Sequence, residues 1–504
     1  MNKKESQKAR EELMSFISEK GFVYGPSPEI YDGGVSGFYD FGPLGKTLKN
    51  NIENTIRKFF TKLMFFEVEC PIVTPKKVWE ASGHLGNFSD PLVECEKCKN
   101  IYRADNLIEE THEIDAEAFT EKDLEEFFKE KEIKCPTCGA RLPAKIEPHM
   151  LMLQTKIGLN QEMYNRPETA TTSYLPFLNY LRFYRDKLPF GIFQIGNAYR
   201  NEISPRQHLI RTREFTQAEA QLFLFKDQKQ EFEKFKEIEN IKINMLSADM
   251  QKQNKDSEKI TLIDAIEKKI LKNKAYAWSL AITQQLFLDL GLPEENIRFK
   301  QHMPEKMSFY AEDAWDLEVN FKSYGWIEGC GCHDRTDYDL SVHSKHSGKE
   351  LQALNPKTGK KETPHVIEIA MGTNRLLLAL LDFAYNKQEV QEGKTKLRIP
   401  KKMSPVTVAI LPLVKKEPLQ EVAHKIKKDL LEEGLIIQYD ESASIGKRYL
   451  RQDSIGTPYC ITVDFETIEE GPKKGTVTIR ERDTEEQKRI KIEEIKEHIL
   501  KNLK

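Results

Sequence analysis

Residues 199–225 read Y-R-N-E-I-S-P-R-Q-H-L-I-R-T-R-E-F-T-Q-A-E-A-Q-L-F-L-F. Side chains of a strand alternate between its faces, so Arg200 and Glu202 share one face. An eight-residue loop, 203–210, follows and carries Pro205 and Arg206. Beyond it, Arg211, Arg213, Phe215, Gln217, Glu219 and Gln221 share one face of a second strand. The other face, with Thr216, Ala218, Ala220, Leu222 and Leu224, is small to apolar and suits a core. The stretch reads as an antiparallel hairpin that presents arginines, carboxylates and one aromatic on a single surface. Arginine forks match phosphate, an aromatic face matches a purine, and carboxylates match an ammonium or a metal ion. A solvated, salt-bridged sheet face would show the same alternation.

At 504 residues the chain is too long for one core, which predicts at least two domains. The formal charge of −3 excludes a global attraction for nucleic acid, so any RNA contact must come from local patches. The first residues lack an apolar signal core, and the longest apolar run, 376–381, is far too short to span a bilayer. The expectation is a cytoplasmic protein without membrane contact. Cys95-x-x-Cys98 and Cys135-x-x-Cys138 form two tight knuckles, and two such pairs can close a tetrahedral thiolate site for structural Zn²⁺. Reduced, unliganded thiols fit the same spacing. The acidic run between them, 109–132, reads as a solvated helix.

Elsewhere, residues 1–20 read as an amphipathic helix with Leu13, Phe16 and Ile17 on one side. Leu48, Ile52, Ile56, Phe59, Phe60 and Leu63 recur at helical spacing, and a strand over 66–74 follows, closed by Pro75. Gly45-Lys46-Thr47 is not a phosphate loop, because Asp40 stands where that pattern needs a glycine. Residues 227–275 turn Lys/Glu-rich with helical stripes (Phe232, Phe235, Ile238, Ile241), which predicts a helical excursion with solvated faces. Asp316, Glu318 and Asn320 alternate with Leu317, Val319 and Phe321. Cys330 and Cys332 share a strand face and suit a buried role, although His333 beside them would also suit a metal. The strand bearing Glu368 turns through Gly372 into a helix apolar on nearly every side, with Arg375 in its first turn. An anion at that helix start would satisfy both the arginine and the helix dipole. After a linker, alternating β and α elements predict a small terminal domain. In it Lys447, Arg448 and Arg451 flank Tyr449, which suits phosphate contacts and base stacking on single-stranded RNA.

The spacing Arg200-x-Glu202, Arg211-x-x-x-Phe215-x-x-x-Glu219 resembles motif 2 of the class II aminoacyl-tRNA synthetases. The 44–75 helix and strand resemble motif 1, the dimer interface of that family, and H-V-I-E-I-A-M-G-T-N-R resembles motif 3. With R-P-E-T-A, K-L-P-F-G, Y-G-W-I-E, D-R-T-D-Y-D-L and S-I-G-K-R-Y-L-R-Q-D, nearly all the chain is similar to the dimeric glycyl-tRNA synthetases. The implied fold is α+β: an antiparallel sheet flanked by helices in a catalytic domain over 1–403. Insertions over 91–150 (zinc knuckle) and 227–296 (helical) interrupt it, and an α/β anticodon-binding domain spans 404–504.

The resemblance implies activation of glycine by ATP and transfer of the glycyl group to tRNA(Gly) by a homodimer. A catalytically inactive, nucleic-acid-binding relative is the alternative, as is a synthetase for another small amino acid. Arg200 would take the α-phosphate of ATP, Phe215 the adenine and Arg375 the γ-phosphate. Asn201, Glu202, Ile210, Arg211, Arg213 and Gly372 would complete the ATP site. Glu328, helped by Glu368, would hold Mg²⁺. Glu168, Glu219 and Glu368 would surround the glycine ammonium, with Phe215, Gln217, Ala370 and Gly372 around it. Arg335 and Arg103 would engage the carboxylate side or the entrance, and Lys447, Arg448 and Arg451 would grip the anticodon. Two positions depart from the family pattern. Thr171 replaces a glutamine, and Ala370 replaces a serine that helps hold glycine, a loss that a water or the Thr171 or Thr172 hydroxyl would partly offset.

Overall fold

Every element of the central sheet is paired by its neighbours in an order that few crossovers disturb. The structure, a computed structural model, describes residues 3–503 apart from 113, 115, 117, 118, 204, 206, 306, 308 and 309. Arg206 and parts of the acidic run and of the 297–335 passage thus lie outside the described residues. Nine strands form the sheet, in the order Glu258–Thr261, Lys242–Leu246, Ile297–Gln301, Asp313–Phe321, Gly325–Asp334, His365–Gly372, Glu214–Leu224, Phe190–Tyr199 and Phe65–Glu67. Only the pairs Lys242–Leu246 with Ile297–Gln301 and Phe190–Tyr199 with Phe65–Glu67 are parallel.

The hairpin forms as its alternation predicts, with Phe190 opposite Phe223 and Tyr199 opposite Glu214. One face of the sheet, including Ala218, Ala220, Leu222, Trp315, Leu317, Ile367 and Ile369, is buried in the main core. The helices Pro43–Lys62, Lys274–Leu290 and Thr373–Ala384 cover that face with Leu48, Ile52, Leu280, Leu377 and Leu381. Cys330 and Cys332 lie in this core, fully buried. The N-terminal helix Lys3–Glu19 packs Leu13, Phe16 and Ile17 there too.

Two expectations need correction. The 66–74 strand is two short strands, Phe65–Glu67 and Val73–Pro75, which join different sheets. Pro71, with no N–H to donate, interrupts the ladder between them. The 227–275 segment is not a helical excursion. Two of its strands extend the main sheet at one edge, and Ile243 and Met245 point into the core at period two. Phe232 and Phe235 are buried around a short 3₁₀ turn, Glu233–Glu237, rather than striped along a helix.

The cysteine lobe has its own small core, built from Val93, Tyr102, Leu107, Ile108, Leu124, Phe128 and Ile133. Its acidic run is not one solvated helix. Ala104–His112 and Glu121–Lys131 are separate helices that bury Leu107, Ile108, Leu124 and Phe128. A capping box starts the second, with Asp123 N–H donating to Thr120 Oγ1 and Thr120 N–H to Asp123 Oδ2.

The C-terminal unit holds a five-stranded sheet, ordered Ile437–Tyr439, Val408–Pro412, Tyr459–Val463, Thr476–Glu481 and Gln487–Lys491. Its first three strands are parallel and the last two antiparallel. The linker is pinned on both sides. Buried Arg482 donates to the carbonyls of Leu397 and Ile399, and Asn51 of the Pro43–Lys62 helix donates to those of Met403 and Ser404. Among the described residues no helix is long and apolar enough to cross a membrane.

Gly45, in the first turn of Pro43–Lys62, is fixed by close approach. A Cβ there would meet the Phe22 carbonyl oxygen at 1.8 Å. Gly45→Ala is therefore expected to destabilise the main core by about 1–3 kcal/mol through forced overpacking. Calorimetry should show a lowered first melting transition.

Candidate active site

The face of the sheet opposite the helices carries a cleft of about 860 Å³. Three strands bring its floor into register. Glu219 lies opposite Ala370, which lies opposite Gly331, and this row offers one carboxylate and almost no bulk. The next row, Gln221, Glu368 and His333, closes the deep end, while Gln217 and Gly372 stand toward the mouth.

The loop bearing R-P-E-T-A forms one wall. Arg166 lies over Gly196, where a Cβ would sit 2.2 Å from Nη2, and donates to the carbonyls of Cys70 and Asn197. Thr169 then ties the loop to the floor, its N–H on Gln217 Oε1 (3.1 Å) and its hydroxyl on Glu219 Oε2 (2.6 Å). Thr171 donates to Glu168 Oε1 (2.8 Å). The Thr172 hydroxyl, by contrast, bonds the Thr169 carbonyl of its own turn, so it offers nothing to the cleft.

Arg335 organises the deep end. It is 4% exposed, forks onto Asp339 (2.7 and 2.9 Å) and reaches Glu368 Oε2 (3.2 Å). Glu368 also bonds His333 Nδ1 (2.9 Å) and accepts from the Tyr174 hydroxyl (3.1 Å). Burial opposes ionisation of Glu368, but Arg335 and His333 hold its carboxyl below the usual range. Burial likewise works against Glu168, where His84, Arg335 and Thr171 together win and keep it low. Glu219 goes the other way. Burial, then the neighbouring charges of Glu368 and Glu168, push its carboxyl well above the ordinary value.

At the mouth, Arg200 lies between two rings, 5.4 Å from the centroids of Phe88 and of Phe215. Arg211 pairs with Glu202 (2.8 Å). Arg375 donates to the carbonyls of Ile210 (3.1 Å) and Glu328 (2.9 Å) and pairs with Glu328 Oε2 (3.2 Å). That guanidinium holds the Glu328 carboxyl below its ordinary value.

Several expected site residues lie elsewhere. Arg103 belongs to the cysteine lobe and is consumed by Asp90 and Asp105. Asn201 turns away to His149 and the Leu151 carbonyl. Arg213 spends its fork on the carbonyls of Glu202, Ile203 and Ser36, which shapes the hairpin loop from beneath. Glu328 and Glu368 cannot hold one ion together. The register places them about five residues apart along the His365–Gly372 strand, on the order of 15 Å. In the C-terminal unit Arg448 is 1% exposed and donates to the carbonyls of Pro412, Leu413 and Asp440. Tyr449 bonds Thr462 and lies under Arg480, so it is no stacking platform. Arg451 is held by Asp440 and Ser442, and Lys447 is exposed. The surrounding basic stretch is a helix, Ile445–Ile455.

Sequence reasoning missed His84 and Phe88 of the cleft wall, and met Trp326 only within Y-G-W-I-E and His333 only as a metal candidate beside Cys330 and Cys332. Phe88 follows the glycine-punctuated S-G-H-L-G-N, and that punctuation was the available signal.

Away from the cleft, the four thiols of Cys95, Cys98, Cys135 and Cys138 lie within 4.8 Å of one another. Cys95–Cys138 and Cys98–Cys135 are each 3.6 Å apart, close to the roughly 3.8 Å edge of a tetrahedron with Zn–S bonds of about 2.3 Å. Each knuckle closes through a residue at positive φ, Lys99 (60°) and Gly139 (70°). The donor set fits Zn²⁺.

Comparison with known proteins places the chain in a family. A family model described as the tRNA synthetase class II core domain (G, H, P, S and T) matches residues 154–384. The anticodon binding domain model matches residues 407–502. Glycine–tRNA ligase of Thermococcus kodakarensis is 40% identical over 96% of this chain and 96% of its own length. That of Methanococcus vannielii is 37% identical over 98% and 99%. The chain belongs to the glycine–tRNA ligase family. Its fold is also that of Giardia lamblia prolyl-tRNA synthetase in complex with prolyl-adenylate, with a TM-score of 0.62 at 16% identity. That alignment covers 97% of this chain and 75% of the other.

The burial of Arg448 has a direct consequence. Arg448→Ala leaves three carbonyls without their donor, at about 1–3 kcal/mol each, so it is expected to melt the C-terminal unit early. Hydrogen exchange of the Val408–Pro412 strand reports this, and Lys447→Ala serves as the unaffected control.

Proposed function

We propose that the chain activates glycine with ATP and transfers it to tRNA(Gly). The observation that carries this reading is the floor row Glu219–Ala370–Gly331, a carboxylate beside empty space, in a chain of the glycine–tRNA ligase family. An oxygen of the glycine carboxylate attacks the α-phosphorus of ATP, and the bond to pyrophosphate breaks. A ribose hydroxyl of the terminal tRNA adenosine then attacks the carbonyl carbon, and AMP leaves. No enzyme nucleophile is required, so positioning and charge neutralisation supply the catalysis.

Arg200 meets the α-phosphate and Arg375 the γ-phosphate, while Arg211 reaches the phosphates by leaving Glu202. The adenine stacks on Phe215. Glu328 holds Mg²⁺, which offsets phosphate charge when bound. Glu168, Glu219 and Glu368 accept the three ammonium hydrogens of glycine, and Arg335 fixes Glu368 for that task. A larger amino acid is refused by packing, since a methylene alone is worth only about 1–3 kcal/mol. Residues 1–403 form the catalytic domain and 404–504 the anticodon-binding domain, where Lys447 and Arg451 are exposed while Arg448 is buried.

The four thiolates hold structural Zn²⁺, with about one ion per chain. Eight unpaired cysteines support a reducing, cytoplasmic setting. A homodimer is supported by the exposed Met64, Phe66 and Phe183, of which the last two pack edge to face at 5.1 Å beside the motif 1-like helix.

ATP–pyrophosphate exchange with a panel of amino acids tests the reading. Glycine alone should support exchange, and Arg200→Ala should lower the rate by about 10²–10³. Exchange with serine, threonine or proline but none with glycine would overturn it. Metal analysis should find the zinc lost in Cys98→Ser. Glu219 supplies a pH signature: burial and the neighbouring charges of Glu368 and Glu168 make it hold its proton to higher pH than an ordinary carboxyl, and an ammonium beside it reverses that shift. Glycine binding should thus release up to about one proton, seen by calorimetry in buffers of different ionisation enthalpy and absent in Glu219→Gln.

A further inference from the structure

Beside the deep end of the cleft, three adjacent strands converge a second set of metal-ligating groups. His302 follows the Ile297–Gln301 strand, Asp316 lies on the next strand and His333 on the one after. One ligand atom from each lies within 4.8 Å of the others. His302 Nε2 and Asp316 Oδ2 are 2.9 Å apart, a shared-proton distance that opens to the roughly 3.4 Å edge of a tetrahedron when bonds of about 2.1 Å to one ion replace the proton. The two imidazoles meet edge to face, centroids 5.7 Å apart.

Two further observations point to an ion. His333 Nδ1 is occupied by Glu368 Oε1 at 2.9 Å, a carboxylate contact that fixes the tautomer and leaves Nε2 as a ligand. The space beside Nε2 is kept open by Gly331. A Cβ there would lie 2.7 Å from His333 Cε1, 3.3 Å from Nε2 and 3.6 Å from Asp316 Oδ1. All three ligands are half-buried, and His333 lines the cleft, so an ion can enter and keep an open position.

We propose that His302, Asp316 and His333 form a second metal site, taking a borderline divalent ion such as Zn²⁺, which weakens glycine binding through the His333–Glu368 contact. Two imidazoles and one carboxylate select Zn²⁺ and its transition-metal neighbours over Mg²⁺ or Ca²⁺. On binding, the metal replaces the proton shared by His302 Nε2 and Asp316 Oδ2, and that proton goes to solvent. The ion then sits one imidazole away from Glu368. The link to glycine rests on the reading of Glu368 as an ammonium acceptor; the metal site itself does not.

The test uses the full-length chain with its four-thiolate site loaded. Zn²⁺ is titrated by equilibrium dialysis, and Co²⁺ by visible absorption. The wild type should take up a second, weaker equivalent, and His302→Gln and Asp316→Asn should each weaken it at least about tenfold, leaving the first intact. No second equivalent in the wild type, or one that both variants retain, would overturn the site. In exchange kinetics, added Zn²⁺ should raise the glycine KM severalfold in the wild type, leave the ATP KM unmoved, and have no effect in His302→Gln. Saturable binding at these ligands without a change in glycine KM would overturn the coupling alone.

Discussion

The buried guanidinium of Arg335 is the constraint on which the cleft depends. Four carboxylates, Glu168, Glu219, Glu368 and Asp339, crowd the deep end, and water cannot solvate them all. An uncompensated buried charge is far more costly than a paired one. Arg335 binds Asp339 with both prongs and still reaches Glu368. The surrounding hydroxyls of Thr169, Thr171 and Tyr174 are spent on what remains. One guanidinium cannot neutralise the whole set, and the excess shows at Glu219, whose carboxyl is pushed well above the ordinary value. On the proposed function, a small ammonium supplies the missing positive charge.

The mouth follows the opposite logic. Arg211 and Arg375 are paired with Glu202 and Glu328, but their side chains are 35% and 30% exposed. The Arg375–Glu328 pair, with Glu328 52% exposed, is worth roughly 0–1 kcal/mol and yields to a polyphosphate at little cost, whereas the Glu202 side chain is only 8% exposed and its pair with Arg211 costs more to break. What matters is that Arg375 is anchored meanwhile. Its bonds to the backbone carbonyls of Ile210 and Glu328 keep the guanidinium aimed across the cleft before any nucleotide arrives.

How much of this was legible in the sequence depended on whether the information was local. Period two fixed the faces of the Glu214–Leu224 strand, and helical spacing found Pro43–Lys62, because each signal lies within one element. The floor row is different. Glu219, Ala370 and Gly331 come from three distant segments, and only pairing register makes them neighbours. Charged residues misled for a related reason. Arg103, Arg213 and Arg448 carry the forks expected of ligand contacts, but each met carboxylates or backbone carbonyls inside the fold first. In residues 227–275 the phenylalanine spacing mimicked a helix, while the period-two signal of Ile243 and Met245 was short and easily outweighed.

Ala370 shows why a residue's meaning is set by its row. A serine hydroxyl at this position would face Glu219 across one strand boundary and Gly331 across the other. The pocket already has three hydroxyls directed at carboxylates, Thr169 on Glu219, Thr171 on Glu168 and Tyr174 on Glu368. A fourth donor would compete with the proposed ammonium for the same lone pairs. An ammonium brings three hydrogens, and Glu168, Glu219 and Glu368 offer one acceptor each, so the count closes without a hydroxyl at 370. The methyl of Ala370 instead keeps the floor low beside Gly331, so a small ligand can bring its charged end close to Glu219.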